Sequence, residues 1–130
     1  MHIFMYTRSM ANDKIITVVF FRTPAGAWPV RDWLRKQSKE NKRTIGRDIA
    51  SVEVTWPIGF PLVTKLDKNL WEVRTTLAGR ISRVFFIVWD KKMVLLHSII
   101  KKSQKTPKQD LELALKRRDL VLGGGIKNEK

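Results

Sequence analysis

The stretch from Leu70 to Ile100 constrains this chain most. From Leu70 the pattern has period two: Trp71, Val73 and Thr75 point one way, and Glu72, Arg74 and Thr76 the other. This predicts a strand with one core face and one polar face. An Ala78-Gly79 turn leads to residues 80–90, where the run 84–89 is apolar on both faces. Such a run suits a central strand covered on both sides, or partly by a partner. After Asp90-Lys91-Lys92, residues 93–100 form another apolar strand interrupted only by His97 and Ser98. An antiparallel meander is the simplest topology for three such consecutive strands.

The remaining segments supply helices and flanking strands. Residues 14–21 (KIITVVFF) read as a buried strand between Asn12-Asp13 and Thr23-Pro24-Ala25-Gly26. Pro29 then opens a short helix with Val30, Trp33 and Leu34 on one face. Ser38 caps a second, with Asn41 three residues on and Ile45, Ile49, Val52 and Trp56 as its apolar stripe. Lys39, Lys42, Arg43 and Arg47 fall on the opposite side. Pro57, Gly59 and Pro61 end this helix, and 62–66 make a short strand. A last helix over 108–122 carries Leu111, Ala114, Leu115 and Leu122 and is stopped by Gly123-Gly124-Gly125. The expected fold class is α+β: a small antiparallel sheet, an N-terminal helix pair packed on it and a short C-terminal helix. Residues 1–130 are expected to be a single domain, with 1–13 a flexible extension, Met10 an alternative start to Met1, and 123–130 a flexible tail.

Composition narrows the chemistry. With no cysteine among 130 residues, disulfide frameworks, thiol catalysis and thiolate-bound metals are excluded. His2 and His97 alone argue against an imidazole-built metal site, so metal- and cofactor-independent chemistry is expected. A formal net charge of +14 makes a polyanion the leading partner, nucleic acid ahead of anionic membrane. The apolar runs are far shorter than the roughly 18 to 20 residues that span a bilayer, and no export signal precedes Arg8. A cytoplasmic protein without membrane contact is expected.

The charge is concentrated. From Lys65 to Lys108 there are eleven Lys/Arg and three Asp/Glu, over half of the net excess. The densest part is Lys101-Lys102-Ser103-Gln104-Lys105-Thr106-Pro107-Lys108, directly after a buried strand. It reads either as a solvated loop or as a phosphate-gripping loop held by a rigid strand. RNA cleavage by its own 2'-hydroxyl needs a base, positive charge for the phosphorane oxygens and an acid for the leaving oxygen. Arg74 offers fixed, bidentate positive charge. Lys101, Lys102 and Lys105 offer the same, and crowding by like charges lowers a lysine pKa towards acid or base work. His97 is an acid/base candidate by type, or a core histidine with a satisfied ring. Glu72 and Arg74 share a face and read as a surface ion pair rather than a catalytic dyad. Arg80 and Arg83 flank the start of the central strand, where Arg83 is either an RNA contact or a buried structural arginine. The five tryptophans are mostly core by spacing.

The segment His97-Ser98-Ile99-Ile100-Lys101-Lys102-Ser103-Gln104-Lys105-Thr106-Pro107 resembles the H-x-F-x-K-K-x-x-K-T-P signature of the phage-derived, HigB-like branch of the RelE/ParE toxin superfamily. Ile99 stands where that family usually has Phe. The likeness extends through Leu70-Trp71-Glu72-Val73-Arg74, Gly79-Arg80-Ile81-Ser82-Arg83-Val84-Phe85-Phe86 and Pro29-Val30-Arg31-Asp32-Trp33-Leu34, covering about residues 14–118. The resemblance implies a RelE-like (microbial RNase-like) fold and the toxin of a type II toxin-antitoxin module. Such toxins enter the A site of the 70S ribosome and cut mRNA without a metal, leaving a 2',3'-cyclic phosphate. A helix-turn-helix antitoxin, HigA-like, would block the toxin and carry it to operator DNA only indirectly. By position Arg74 corresponds to the phosphate-stabilising arginine, Lys101, Lys102 and Lys105 to the basic active-site loop, and His97 to the signature histidine, whose role varies between catalyst and scaffold. Lys65 matches an RNA-gripping position, and Arg80, Arg83 and Lys108 join it as expected RNA contacts. Two rivals share the fold: a ParE-like poison of DNA gyrase and a non-enzymatic RNA-binding regulator. The lysine-rich loop favours the nuclease, since its chemistry needs cations concentrated at one spot.

Overall fold

The computed structural model describes residues 14–102 and 105–128. The expected extension over 1–13, with the choice of start at Met1 or Met10, lies outside them. In chain order the elements are β1 (Thr17–Phe20), α1 (Pro29–Arg35), α2 (Lys39–Thr55), β2 (Val63–Asp67), β3 (Leu70–Leu77), β4 (Arg80–Trp89), β5 (Lys92–Lys101) and α3 (Lys108–Asn128).

The expected α+β architecture is present: a five-stranded sheet of order β1-β5-β4-β3-β2 flanked by helices. The meander β2 to β5 is antiparallel throughout. The sheet is nevertheless mixed, because β1 runs parallel to β5. A parallel pair needs a long crossover, and α1 and α2 carry the chain from one edge of the sheet to the other. β1 is also shorter than its apolar run. The N–H groups of Ile15 and Ile16 donate to the Glu53 carbonyl at 2.8 and 3.2 Å, so the first part of the run is spent on the end of α2. The Glu53 carboxylate accepts from the Val18 N–H at 2.8 Å and faces Lys14 Nζ at 3.3 Å.

Local chemistry explains the elements. Pro29 occupies the first turn of α1, and Ser38 Oγ accepts from the Asn41 N–H at 3.1 Å to cap α2. The β4–β5 turn places Asp90 and Lys91 at φ of 52° and 60°, the mirror-image geometry that matches strand twist. On one face of the sheet α1 and α2 bury Val30, Ile45, Ile49 and Val52 against Val73, Val84, Phe86 and Leu95. Trp56, Trp71 and Phe86 form an edge-and-stack cluster there, with centroids 4.9 to 5.8 Å apart. On the other face α3 sets Ala114, Leu111 and Leu115 against Leu70, Phe85, Ile87 and Leu96. Helices thus cover the doubly apolar β4 from both sides.

Three expectations change. The face of β3 that carries Glu72 is not a solvent face: Glu72 is 1% exposed. The C-terminal helix is not short, and it does not stop at the glycines, since α3 runs to Asn128. Gly123 adopts no left-handed φ, and a glycine inside a helix costs about 1 kcal/mol rather than barring it. Finally, β5 carries a bulge. Phe86 pairs with Leu95 and Phe85 with His97, leaving Leu96 as an extra residue. The bulge brings His97 onto the α3 side, opposite Phe85.

Candidate functional site

The β3–β4 hairpin projects past β2. The β2 register ends with Val63 opposite Val73, and the last bond on that side is from the Arg74 N–H to the Leu62 carbonyl at 2.9 Å. Beyond it the end of β3 is an open edge, facing the irregular segment before β2 and the middle of α2. The gap is a cavity of about 520 Å³ whose walls include Arg47, Asp48, Phe60, Arg74, Thr76 and Ile81. A second cavity of about 340 Å³ shares Thr76 and Ile81 and continues to Gly79, Arg80 and Lys102. Gly79, at φ 68°, makes the hairpin turn that a side chain would strain. Lys101 pairs across the strands with Ile81. Together these make one groove, rimmed by Arg47, Arg74, Arg80 and Lys102, with Lys101 beside it.

Beneath the groove lies a buried ion cluster. The Glu72 carboxylate accepts from Arg83 Nη1 at 2.8 Å, faces Arg74 Nε at 3.4 Å, and accepts from Thr106 Oγ1 at 3.1 Å. One carboxylate thus faces two guanidinium groups. Arg83 is fully buried, whereas the Arg74 side chain is 21% exposed and lines the cavity. Of the two guanidinium groups, Arg74 is the one presented to the groove. Thr106 ties the lysine loop to the same carboxylate, fixing the loop relative to Arg74.

The predicted residues separate into groups. Arg74, Arg80 and Lys102 come together at the groove, with Lys101 alongside. Lys105 and Lys108 are exposed at the entry to α3, where Lys108 Nζ lies 3.9 Å from Glu112. Lys65 sits 5.9 Å over the Trp71 ring, outside both cavities. Arg83 faces Glu72 inside the protein and presents no surface to a polyanion. Glu72, read as half of a surface ion pair, is instead the buried hub.

His97 is not in the walls of the groove. Its Nε2 lies 2.7 Å from Asp110 Oδ1, in the first turn of α3, and its Nδ1 3.4 Å from Arg117 Nη1. A guanidinium only donates, so Nδ1 accepts and the proton sits on Nε2, directed at Asp110. Arg117 Nη1 also donates to the Leu96 carbonyl at 2.9 Å, and burial lowers the Arg117 pKa. The histidine therefore ties α3 to β5.

Sequence reasoning missed Thr106, whose role follows from the burial of Glu72, and Asp110 and Arg117, whose roles follow from which face of β5 the bulge presents. It counted Arg47 only as part of a polar helix face, and passed over Asp48 and Phe60. One signal for Phe60 was available: an aromatic between Pro57 and Pro61, in a segment with no period to bury it.

Comparison with known protein families gives a match to the family described as phage derived protein Gp49-like (DUF891), over residues 32–119. That span, more than half of the chain, contains every residue of the groove and of the ion cluster. No curated protein matches the chain.

Proposed function

The chain belongs to the phage-derived Gp49-like family, and from that premise we propose that it is the toxin of a type II toxin-antitoxin module, a ribosome-dependent mRNA endonuclease of the HigB-like kind. The observation that carries this reading is the groove in which Arg74, Arg80 and Lys102 converge. The resemblance of residues 97–107 to the HigB-like signature supports it.

In this reading an mRNA strand in the ribosomal A site lays one phosphate against Arg74. The 2'-oxygen attacks the adjacent phosphorus, the bond to the 5'-oxygen breaks, and a 2',3'-cyclic phosphate remains. The 2'-hydroxyl proton passes to a base, and a proton is delivered to the leaving 5'-oxygen. Arg74 stabilises the phosphorane oxygens by charge-assisted hydrogen bonds. Lys101, Lys102 and Lys105 supply the remaining charge and the proton transfers. His97, held between Asp110 and Arg117, acts as scaffold. No step calls for a metal, and the reaction belongs in the cytoplasm. The +14 charge fits an antitoxin that covers the groove with an acidic face.

The test is induced expression of wild type beside an Arg74→Ala, Lys102→Ala double variant, with growth scored and mRNA 5' ends mapped in translated and untranslated messages. Growth arrest with codon-phased ends only in translated messages, lost in the double variant, is expected. Arrest with intact messages would overturn the nuclease reading and point to gyrase or to a purely binding role.

A further inference from the structure

We propose that the wider half of the groove is a nucleobase subsite, in which Phe60 stacks on one unpaired base and Asp48 reads its N–H donors, guanine being preferred. The proposal rests on the reading of this groove as an RNA site and names how it would choose its sequence.

Three observations coincide in the cavity of about 520 Å³. Phe60 is 80% exposed, the most exposed large apolar side chain among the described residues. A lone exposed ring means little by itself, but this one lines a cleft of the size that takes small ligands. Arg47 and Arg74 supply cations to the same walls. Asp48, half-buried in the same lining, makes no ion pair among the described residues despite the basic surroundings.

An apolar ring, two guanidinium groups and a carboxylate in one cavity match the parts of a nucleotide. The ring stacks on a base, which must be unpaired to offer its face. The arginines take the phosphates. A carboxylate repels phosphate, so its place in a phosphate-binding groove is accounted for by the base edge. An ionised carboxylate only accepts hydrogen bonds. Guanine presents two adjacent donors, N1–H and the 2-amino group, whereas adenine and cytosine present an amino group alone and uracil a single ring N–H. A bidentate pair therefore favours guanine.

The experiment is fluorescence anisotropy with short labelled 2'-O-methyl RNA strands of uridines that differ at one central base. Methylation removes the attacking hydroxyl, so binding is measured without cleavage. Full-length wild type, Phe60→Ala, Phe60→Trp and Asp48→Asn are compared, with circular-dichroism melting as the check on folding. We expect wild type to prefer the guanine strand. Phe60→Ala should weaken binding roughly five- to a hundredfold, in line with stacking on a single base, while Phe60→Trp retains it. Asp48→Asn should lose the guanine preference while holding or gaining affinity for the all-uridine strand. Wild-type-like behaviour of both Phe60→Ala and Asp48→Asn would overturn the subsite, as would absence of binding by the wild type. The two readings fail separately. Message cleavage that survives with base-independent binding removes the subsite alone, and Phe60-dependent binding with intact messages removes the nuclease alone.

Discussion

Among the described residues, polar side chains from His97 to Pro107 fall into an inner and an outer set. His97 and Thr106 are occupied by Asp110, Arg117 and Glu72 within the protein, whereas Lys101 and Lys102 are exposed. A motif written as one string therefore mixes two tasks. The inner residues fix where the loop and α3 sit. The outer ones face whatever enters the groove. Burial and hydrogen-bond partners sort them, and residue type does not.

The comparison breaks most decisively at Glu72. Replacing it with Ala removes the carboxylate that faces Arg83 and Arg74, and disrupting a buried ion pair costs about 3 to 5 kcal/mol. Urea unfolding should show this as a large fall in midpoint, and near wild-type stability would remove Glu72 from the hub. Asp110→Ala comes next. It leaves the His97 ring N–H without its carboxylate, at about 1 to 3 kcal/mol, measurable by the same unfolding curve.

Asp67 offers a smaller effect that depends on pH. The Lys68 N–H first, and then Arg118, holds its carboxyl below the usual carboxylate range. A pKa lowered on folding adds stability above the unfolded value and loses it as pH falls through the folded one. The difference in melting temperature between wild type and Asp67→Asn should thus be present at neutral pH and vanish in strong acid. A constant difference would count against the contact. Smallest of all, Lys101→Ala and Lys102→Ala should change stability by no more than about 0.5 kcal/mol while abolishing toxicity. Loss of toxicity accompanied by a large fall in stability would place these lysines with the inner set.

How much was legible beforehand follows the range of the forces involved. The starts of α1 and α2 and the strands β3 to β5 rest on neighbours within a few residues, and Pro29, Ser38 and the two-residue period of Leu70 to Thr76 announce them. The parallel direction of β1 is not written in its own residues. It is made against β5, with the Thr17 and Phe21 N–H groups donating to the Lys91 and Leu95 carbonyls, while Glu53, remote in the chain, takes up the amides of Ile15, Ile16 and Val18. Glu72 was misassigned for a similar reason, since strand alternation gives a side chain's face but not what covers that face. Arg74, Arg80 and Lys102 were found through charge density. Of the two that complete the wall, Asp48 is hidden within the charged face of α2, and Phe60 lies in an irregular segment whose one cue is an aromatic with no period to bury it.

The extra residue at Leu96 gives β5 a parity. With side chains alternating along a strand, the same residues paired without the bulge would set Leu96 opposite Phe85 and transpose everything from His97 onward to the opposite side of the sheet. His97 would turn from Asp110 towards the tryptophan cluster, and Lys101 would leave its place opposite Ile81. The basic rim is thus addressed by register as well as by chemistry: straightening β5, with no charge altered, would displace Lys101 and Lys102 from the positions the bulge gives them.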